Sequence, residues 1–269
     1  MESKAEQHKY SLLAKASYDN YYTGLDKTQE QLSLYPQTKG YAVNTDLTTP
    51  NHLVLVSPKE VVISYRGTDP KNVSDLTADA QILLGLDKIP INFLGRFSDA
   101  DKAYQLTKKA YPDREITLTG HSLGSTQSVY VGMKNDVKSI SFNEGSSPLS
   151  ALFSQIITND SAKKQKIYLT GKDLLSNFAV YQPYNTVIVP TQAFNFVAHS
   201  LSYFLPPTTD TQLPDWLLPK NKIPKYKPVK GINYANSVLS DSILYKKKKK
   251  FKAQLVELEQ VQPGLQLGL

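Results

Sequence analysis

The residues whose types and spacing best suit chemistry are a serine between two glycines, because residues 120–124 read GHSLG. At about 7% each for Gly and Ser, a chain of this length holds a chance G-x-S-x-G match roughly once in ten cases. The flanking sequence strengthens this match: residues 116–119 have the composition of a strand, and a helix-compatible segment follows. A serine on such a strand-to-helix turn projects its hydroxyl from the carboxyl edge of a sheet, where it acts as a nucleophile.

Both glycines fit this geometry, because a Cβ at either position would collide with the neighbouring strand and helix. The helix N-terminus beneath Ser122 also favours the negative charge that develops during nucleophilic attack. An ordinary glycine-rich turn between strand and helix is the alternative interpretation of the same residues.

A serine nucleophile needs a base, and the positions of the four histidines limit the choice. Where the nucleophilic serine lies on such a strand-to-helix turn of a sheet, the serine, the acid and the histidine follow one another in that order along the chain. His8 and His52 precede Ser122, and His121 is locked inside the turn. His199 is therefore the predicted base, whereas a surface or packing role for it would leave the serine without one.

The acid that orients the base should follow the carboxyl end of a strand, where a parallel sheet gathers its ligands. Asp136 and Asp160 precede predicted strands and would lie at the opposite edge. Glu144 and Asp173 each follow a predicted strand, so both are candidates. Capping the helix that follows is the alternative role for Asp173.

The oxyanion that forms during attack needs two hydrogen-bond donors. The backbone N–H of Leu123, directly after the serine, is the first. The second should follow an earlier strand, and the segment after residues 62–65 offers the N–H of Thr68, with its hydroxyl.

The predicted elements fall into two groups that together would position these residues. The first group comprises a helix over 10–21 ended by Gly24, an irregular stretch over 25–40, and extended runs at 41–44, 52–56 and 61–65. Helix-compatible segments follow at 72–84 and at 98–111, with Ser98 as the N-cap.

In the second group, strands and helices alternate. Strands are predicted at 115–119, 137–143, 166–170 and 186–189, and helices at 123–133, 148–157, 173–179 and 197–204. This alternation predicts a mainly parallel sheet that is covered by helices on both faces. The hairpin formed by 52–56 and 61–65 adds an antiparallel edge at the N-terminal side.

Five short segments together resemble the ordered motifs of the class 3 (fungal-type) lipase family. They are YRGT at 65–68, DLTAD at 75–79, GHSLG at 120–124, GKD at 171–173 and HSL at 199–201, within a resemblance over about 8–205. The resemblance implies an α/β-hydrolase fold, a Ser-Asp-His triad, no metal or cofactor, and a short lid over an apolar acyl site.

Each motif residue of this family has a counterpart in the chain. The resemblance assigns the nucleophile, the acid, the base and the two oxyanion donors, in that order, to Ser122, Asp173, His199, Thr68 and Leu123. It also makes Arg66 and Asp79 structural residues that support residues 66–68, the segment that supplies Thr68, which we call the oxyanion loop. The chain departs from the family at Ser125, where a second glycine is usual, and in its short interval between the acid and the base.

The lid is expected between residues 68 and 97, where the segments 82–86 and 89–94 are unusually apolar. They are suited to walling an acyl pocket or dipping into a lipid surface. Completing the core is the alternative role for them.

The net charge of +7 is concentrated in the C-terminal part of the chain. Residues 206–269 carry 11 Lys against five acidic residues, or +6, which leaves +1 for residues 1–205. We therefore divide the chain into a hydrolase-like domain, 1–205, and a Pro/Lys-rich extension, 206–269. The extension is expected to be solvated or to contact an anionic membrane. Each Lys near such a surface would contribute about 1 kcal/mol to the free energy of binding. Nucleic acid is not an expected partner, because few aromatic residues interleave the lysines.

Composition excludes several other classes of protein. A chain without Cys has no disulfide scaffold, no thiolate metal site and no thiol catalysis. No uncharged apolar run approaches the roughly 18–20 residues that span a bilayer, and no secretory signal is visible at the N-terminus. The expected location is therefore the cytoplasm or the interior of a particle.

Together, the motifs predict a serine carboxylester hydrolase that cleaves lipid esters through an acyl-enzyme. A phospholipase is one alternative. A non-catalytic structural component of a larger particle, built on the same scaffold, is the other.

Overall fold

The computed structural model describes residues 4–68, 91–145, 159–170, 173, 176, 185–191 and 198–207. Its helices are α1 (Lys4–Thr23), α2 (Leu25–Leu34), α3 (Ile91–Ala110), α4 (Leu123–Lys134) and α5 (Asn159–Lys163), with a 3₁₀ helix at Leu201–Phe204. Its strands are β1 (Ala42–Val43), β2 (His52–Val56), β3 (Val61–Tyr65), β4 (Ile116–Ser122), β5 (Ser139–Glu144), β6 (Gln165–Thr170) and β7 (Asn185–Val189). The predicted helices at 72–84 and 148–157, Asp79, the apolar segment 82–86 and residues 208–269 lie outside the described residues, as does the predicted helix at 173–179 except for residues 173 and 176.

The strands form one seven-stranded sheet in which spatial order follows chain order, from β1 to β7. The pairs β1–β2 and β2–β3 are antiparallel, and every pair from β3 to β7 is parallel. The predicted antiparallel edge and parallel body are thus confirmed. Because the parallel strands step in one direction, right-handed crossovers place α3, α4 and α5 on the same face of the sheet.

The opposite face needs a different cover, and the N-terminal helices supply it. Tyr10, Leu13 and Leu32 from α1 and α2 pack with Phe142 of the sheet and Phe204 of the 3₁₀ helix. On the crossover face a separate cluster joins the helices to side chains from alternate positions of the same strands. Its members include Ile63, Leu118, Ala100, Ala103 and Val131. The sheet is therefore covered on both faces, as the sequence predicts.

The helix predicted at 197–204 is present as the 3₁₀ helix Leu201–Phe204, with His199 in the turn before it. Two predictions about helices were wrong, and each error has a local cause. Residues 25–34, predicted as irregular, form α2, which buries only Thr28 and Leu32 and so has too little apolar periodicity to detect. Helix α3 begins at Ile91, and Ser98 is an exposed residue inside it rather than its N-cap. The buried Phe97 continues the stripe of Ala100 and Tyr104, so packing extends the helix past the polar signal.

The mixed sheet with its helical layers, and the serine at the junction of β4 and α4, define an α/β-hydrolase fold. Among the described residues, no helix combines the length and the apolar character needed to cross a bilayer.

A buried carboxylate fastens α1 to the connection between β2 and β3. Glu60 accepts hydrogen bonds from Lys9 Nζ at 2.7 Å, Tyr10 OH at 2.8 Å and Tyr41 OH at 2.5 Å. Burial alone would raise the pKa of Glu60, but the three donors outweigh burial and hold that pKa below its ordinary value. This contact lies at the amino end of β3, the edge of the sheet away from Ser122.

We expect Glu60→Gln to lower the free energy of unfolding by about 1–3 kcal/mol near neutral pH, because three donors lose an ionised acceptor. Since the folded-state pKa is depressed, this stabilisation is complete above the unfolded-state pKa and is lost as the pH falls through the folded-state value. Urea unfolding on both sides of that range measures it. Glu30→Gln, at an exposed position on α2, is the control and should change little. A Glu60 effect that persists undiminished at acid pH would contradict the assignment.

Candidate active site

Ser122 is the last residue of β4 and precedes α4 directly, so the chain turns from strand to helix at the serine itself. Its backbone has φ 58° and ψ −128°, a region that non-glycine residues rarely occupy. The pairing of β4 with β5 shifts register between His121 and Ser122. Such strain persists only where the surroundings fix it, and it commonly marks functional sites.

The glycines of the turn make this geometry possible, as the sequence predicts. A Cβ at Gly120 would meet the carbonyl group of Gly124, and a Cβ at Gly124 would meet the carbonyl oxygen of Tyr65 in β3. The obstacles are backbone atoms, which do not rotate away as side chains do. The turn at residues 120–124, which we call the elbow, is therefore packed directly against β3.

His199 lies in the turn before the 3₁₀ helix and is hydrogen-bonded to Asp173. The distance from His199 Nδ1 to Asp173 Oδ2 is 2.6 Å, and both side chains are buried. Because an ionised carboxylate only accepts hydrogen bonds, Nδ1 carries the proton and Nε2 is the basic nitrogen. His199 Nε2 is buried and has no hydrogen-bond partner among the described residues. This tautomer is the one that a general base requires.

The ends of β5 and β6 hold the turn that carries His199. The carbonyl oxygen of Ala198 accepts from Asn143 Nδ2 at 2.9 Å and from Thr170 Oγ1 at 2.5 Å. Asn143 Oδ1 in turn accepts from the backbone N–H of Thr170 at 2.9 Å. Asn143 has φ 39°, a conformation that Asn tolerates better than most residues. Sequence reasoning missed this asparagine, whose only signal is its place at the end of a buried strand.

Asp173 and Glu144, the two acid candidates, both lie at the carboxyl edge of the sheet and are fully buried. The imidazole pairs with Asp173. Ser176 Oγ contacts Asp173 Oδ2 and also lies 3.0 Å from the carbonyl oxygen of Glu144. The geometry therefore favours Asp173 as the partner of the base and leaves Glu144 beside it.

His199 also lies beside the elbow, although no hydrogen bond joins Ser122 Oγ to His199 Nε2. The rings of His121 and His199 are 5.0 Å apart, centroid to centroid, and His121 Nε2 lies 2.7 Å from the carbonyl oxygen of His199. Catalytic hydrogen bonds are often long before substrate binds. The structure thus brings His199 and Asp173, the predicted base and acid, together next to Ser122.

Arg66 fixes the loop that was predicted to supply an oxyanion donor. Its guanidinium donates to Pro50 O at 2.8 Å, to Gly67 O at 3.1 Å and to Asn51 Oδ1 at 3.2 Å. In a trans peptide the carbonyl and the N–H point in opposite directions. With the oxygen of Gly67 held by Arg66, the N–H of Thr68 points away from the guanidinium.

This oxyanion loop lies directly against the elbow. A Cβ at Gly67 would be 3.2 Å from Ser122 Cβ. Arg96 Nη2 donates to Arg66 O, and Gln127 Nε2 donates to Arg96 O at 2.7 Å, so α3 and α4 brace the same loop. Arg96 was missed at the sequence level, because nothing in its local pattern distinguishes it from an exposed helix residue.

Within the part of the chain that the structure describes, no group of three or more His, Asp or Glu side chains is arranged to hold a metal ion. Asp79 and the lid segment 82–86 are not among those residues.

No protein-family model and no curated protein sequence matches the chain. Among solved structures, lipase II from Rhizopus niveus is similar, at 16% identity and TM-score 0.46, over 71% of this chain and 81% of that one. A mutant of MDLA from Penicillium cyclopium gives 13% identity and TM-score 0.45, over 72% and 83%. The Lip2 lipase of Yarrowia lipolytica gives 15% and 0.44, over 69% and 78%. With TM-scores below 0.5, these likenesses do not decide the reaction of this chain.

We expect Gly124→Ala to lower the free energy of unfolding by about 1–3 kcal/mol, because its Cβ would press on the backbone of β3. Gly95→Ala is the matched control: it lies in α3 with open space around the added carbon, so helix propensity should stabilise it by up to about 1 kcal/mol. Urea unfolding of both variants measures the difference. Equal effects of the two substitutions would contradict the close packing of the elbow.

Proposed function

We propose that the protein is a serine carboxylester hydrolase that cleaves lipid esters through an acyl-enzyme. The observation that carries the proposal is the pair formed by His199 and buried Asp173, beside a strained serine. The basic Nε2 of His199 has no hydrogen-bond partner in the part of the chain that the structure describes. A packing histidine would have no need of a buried carboxylate on one nitrogen and an open second nitrogen.

In the proposed reaction, Ser122 Oγ attacks the ester carbonyl carbon while His199 Nε2 takes the hydroxyl proton. The resulting imidazolium is stabilised by Asp173, which keeps its own charge. His199 then returns the proton to the leaving alcohol, and the acyl group remains on Ser122. A water molecule then attacks the acyl-enzyme with His199 as base, and the carboxylic acid product leaves Ser122.

The tetrahedral oxygen is stabilised by the N–H groups of Leu123 and Thr68. Leu123 begins α4, so its N–H has no acceptor within the helix and lies at the positive end of the helix dipole. The N–H of Thr68 is oriented by the capture of Gly67 O on Arg66. Fixed donors in a buried site stabilise developing charge without reorganisation, which is commonly the largest part of catalysis.

The lipid part of the proposal rests on the sequence. The motifs resemble those of class 3 lipases, and the apolar segments 82–86 and 89–94 are suited to an acyl chain. A triacylglycerol and a phospholipid offer the same acyl ester to Ser122. They differ in the group that leaves.

We expect Ser122→Ala to abolish both hydrolysis of a p-nitrophenyl ester and labelling by a fluorophosphonate, because the nucleophile is gone. Ser125→Ala is the matched control: this buried serine lies one turn further into α4, and its hydroxyl has no partner among the described residues. It should keep both activities. Labelling of the Ser122→Ala protein would remove this residue from the mechanism. An unmutated protein that never labels, even with liposomes, would favour a non-catalytic role for the scaffold.

Asp173→Asn should lower kcat by about 10³- to 10⁴-fold, because an amide at that place favours the wrong imidazole tautomer. Glu144→Gln, at the other buried acid of this edge, should lower it by less than about tenfold, since Glu144 does not hold the ring of His199. Steady-state kinetics, with circular dichroism to confirm folding, compare the two. The reverse order of effects would make Glu144 the acid.

A further inference from the structure

His121, which the sequence places inside the elbow as a spacer, lies in a continuous chain of buried hydrogen bonds. Its Nδ1 is 3.1 Å from the hydroxyl of Tyr18 in α1, and its Nε2 is 2.7 Å from the carbonyl oxygen of His199. This series of hydrogen bonds therefore begins at Tyr18 on the N-terminal helix and ends at the backbone of His199, the proposed base. It adjoins the contacts that Asn143 and Thr170 make with Ala198.

The direction of these hydrogen bonds follows from their partners. A carbonyl oxygen only accepts, so Nε2 of His121 carries the proton and donates it to His199 O. Nδ1 is then the acceptor, and the hydroxyl of Tyr18 donates to it. Burial, with a smaller contribution from the charge of His199, lowers the pKa of His121 to about 3. His121 therefore stays neutral, and this arrangement holds, across the pH range in which an imidazole base works.

The hydroxyl of Tyr18 also lies at the back of the oxyanion loop. A Cβ at Gly67 would collide with this hydroxyl, and the same oxygen is 3.4 Å from the carbonyl oxygen of His121. One side chain of α1 thus touches the loop that holds Thr68 and the residue that precedes Ser122. The pair formed by Tyr18 and His121 therefore contacts the proposed base, the oxyanion loop and the backbone next to Ser122.

We propose that Tyr18 and His121 are positioning residues that hold His199 in register with Ser122 through the main-chain carbonyl of His199. The inference rests on the proposed function, and it assigns no proton transfer to either residue. His121 acts by fixing the backbone that carries the imidazole, and Tyr18 acts by fixing the ring of His121. Small displacements of a catalytic group cost large factors in rate, so the effect falls on kcat rather than on substrate binding.

Two amides at position 121 separate positioning from simple packing. In His121→Gln the amide nitrogen reaches the place of Nε2 and can still donate to His199 O. In His121→Asn the amide oxygen takes the place of Nδ1 and accepts from Tyr18, but nothing reaches His199. We expect His121→Gln to keep at least about a third of the parental kcat and His121→Asn to lose about 30- to 100-fold, with KM changed by less than about twofold.

Equal kcat values for two folded amide variants would overturn the proposal, whether both retain activity or both lose it. Tyr18→Phe provides a test that keeps the histidine: it removes one hydroxyl and should lower kcat about 3- to 10-fold at unchanged KM. It decides the question if neither amide variant folds. An unchanged kcat in Tyr18→Phe would exclude Tyr18 from the positioning role.

A failure of the proposed function is recognised separately. If the unmutated protein neither turns over esters nor labels with a fluorophosphonate, the hydrolase assignment fails. The downfield proton resonance of His199 Nδ1, hydrogen-bonded to Asp173, still reports the geometry. Positioning predicts that this resonance is retained in His121→Gln and is shifted or broadened in His121→Asn; no difference between the two would reject it.

Discussion

The site depends on one constraint: three backbone segments approach one another more closely than any side chain would permit. Gly124 lies against the carbonyl of Tyr65, Gly120 against that of Gly124, and Gly67 against the elbow. Because β3 and β4 are parallel neighbours, their carboxyl ends arrive at the same edge of the sheet. The contact makes the oxyanion loop and the serine one rigid unit, so the strained backbone of Ser122 has no room to relax.

The second half of the site is held by polar contacts, because its residues come from distant parts of the chain. His199 lies in a turn. The carbonyl oxygen of Ala198 accepts from Asn143 and Thr170, and that of His199 accepts from His121. Unmade hydrogen bonds in a buried region are costly. The network therefore specifies a single position for His199, the proposed base, which a purely apolar contact would not fix.

These two kinds of constraint explain how far the sequence could predict the structure. Alternating apolar residues and glycine spacing are local, and they predicted β2 to β7 and the elbow. The order of residues along the chain selected His199 but left both Asp173 and Glu144 as candidate acids, and the resemblance to class 3 lipases then assigned Asp173. Helix α2 was not predicted, because it buries only Thr28 and Leu32. The roles of Tyr18 and Asn143 were not predicted either, since each depends on a partner far along the chain. Hydrogen bonds over such separations leave no period in the sequence.

Helix α1 illustrates how such distant contacts join stability to chemistry. Tyr10 binds Glu60 near the amino end of β3, whereas Tyr18 binds His121 at the carboxyl edge of β4. Eight helical residues span about 12 Å, so the helix reaches from the amino edge of the sheet to the carboxyl edge, where the candidate site lies. The crossover helices cover one face of the sheet. Among the described residues, the opposite face is covered by α1, α2 and the 3₁₀ helix alone. The helix that completes the core is therefore also the element against which the proposed base is set.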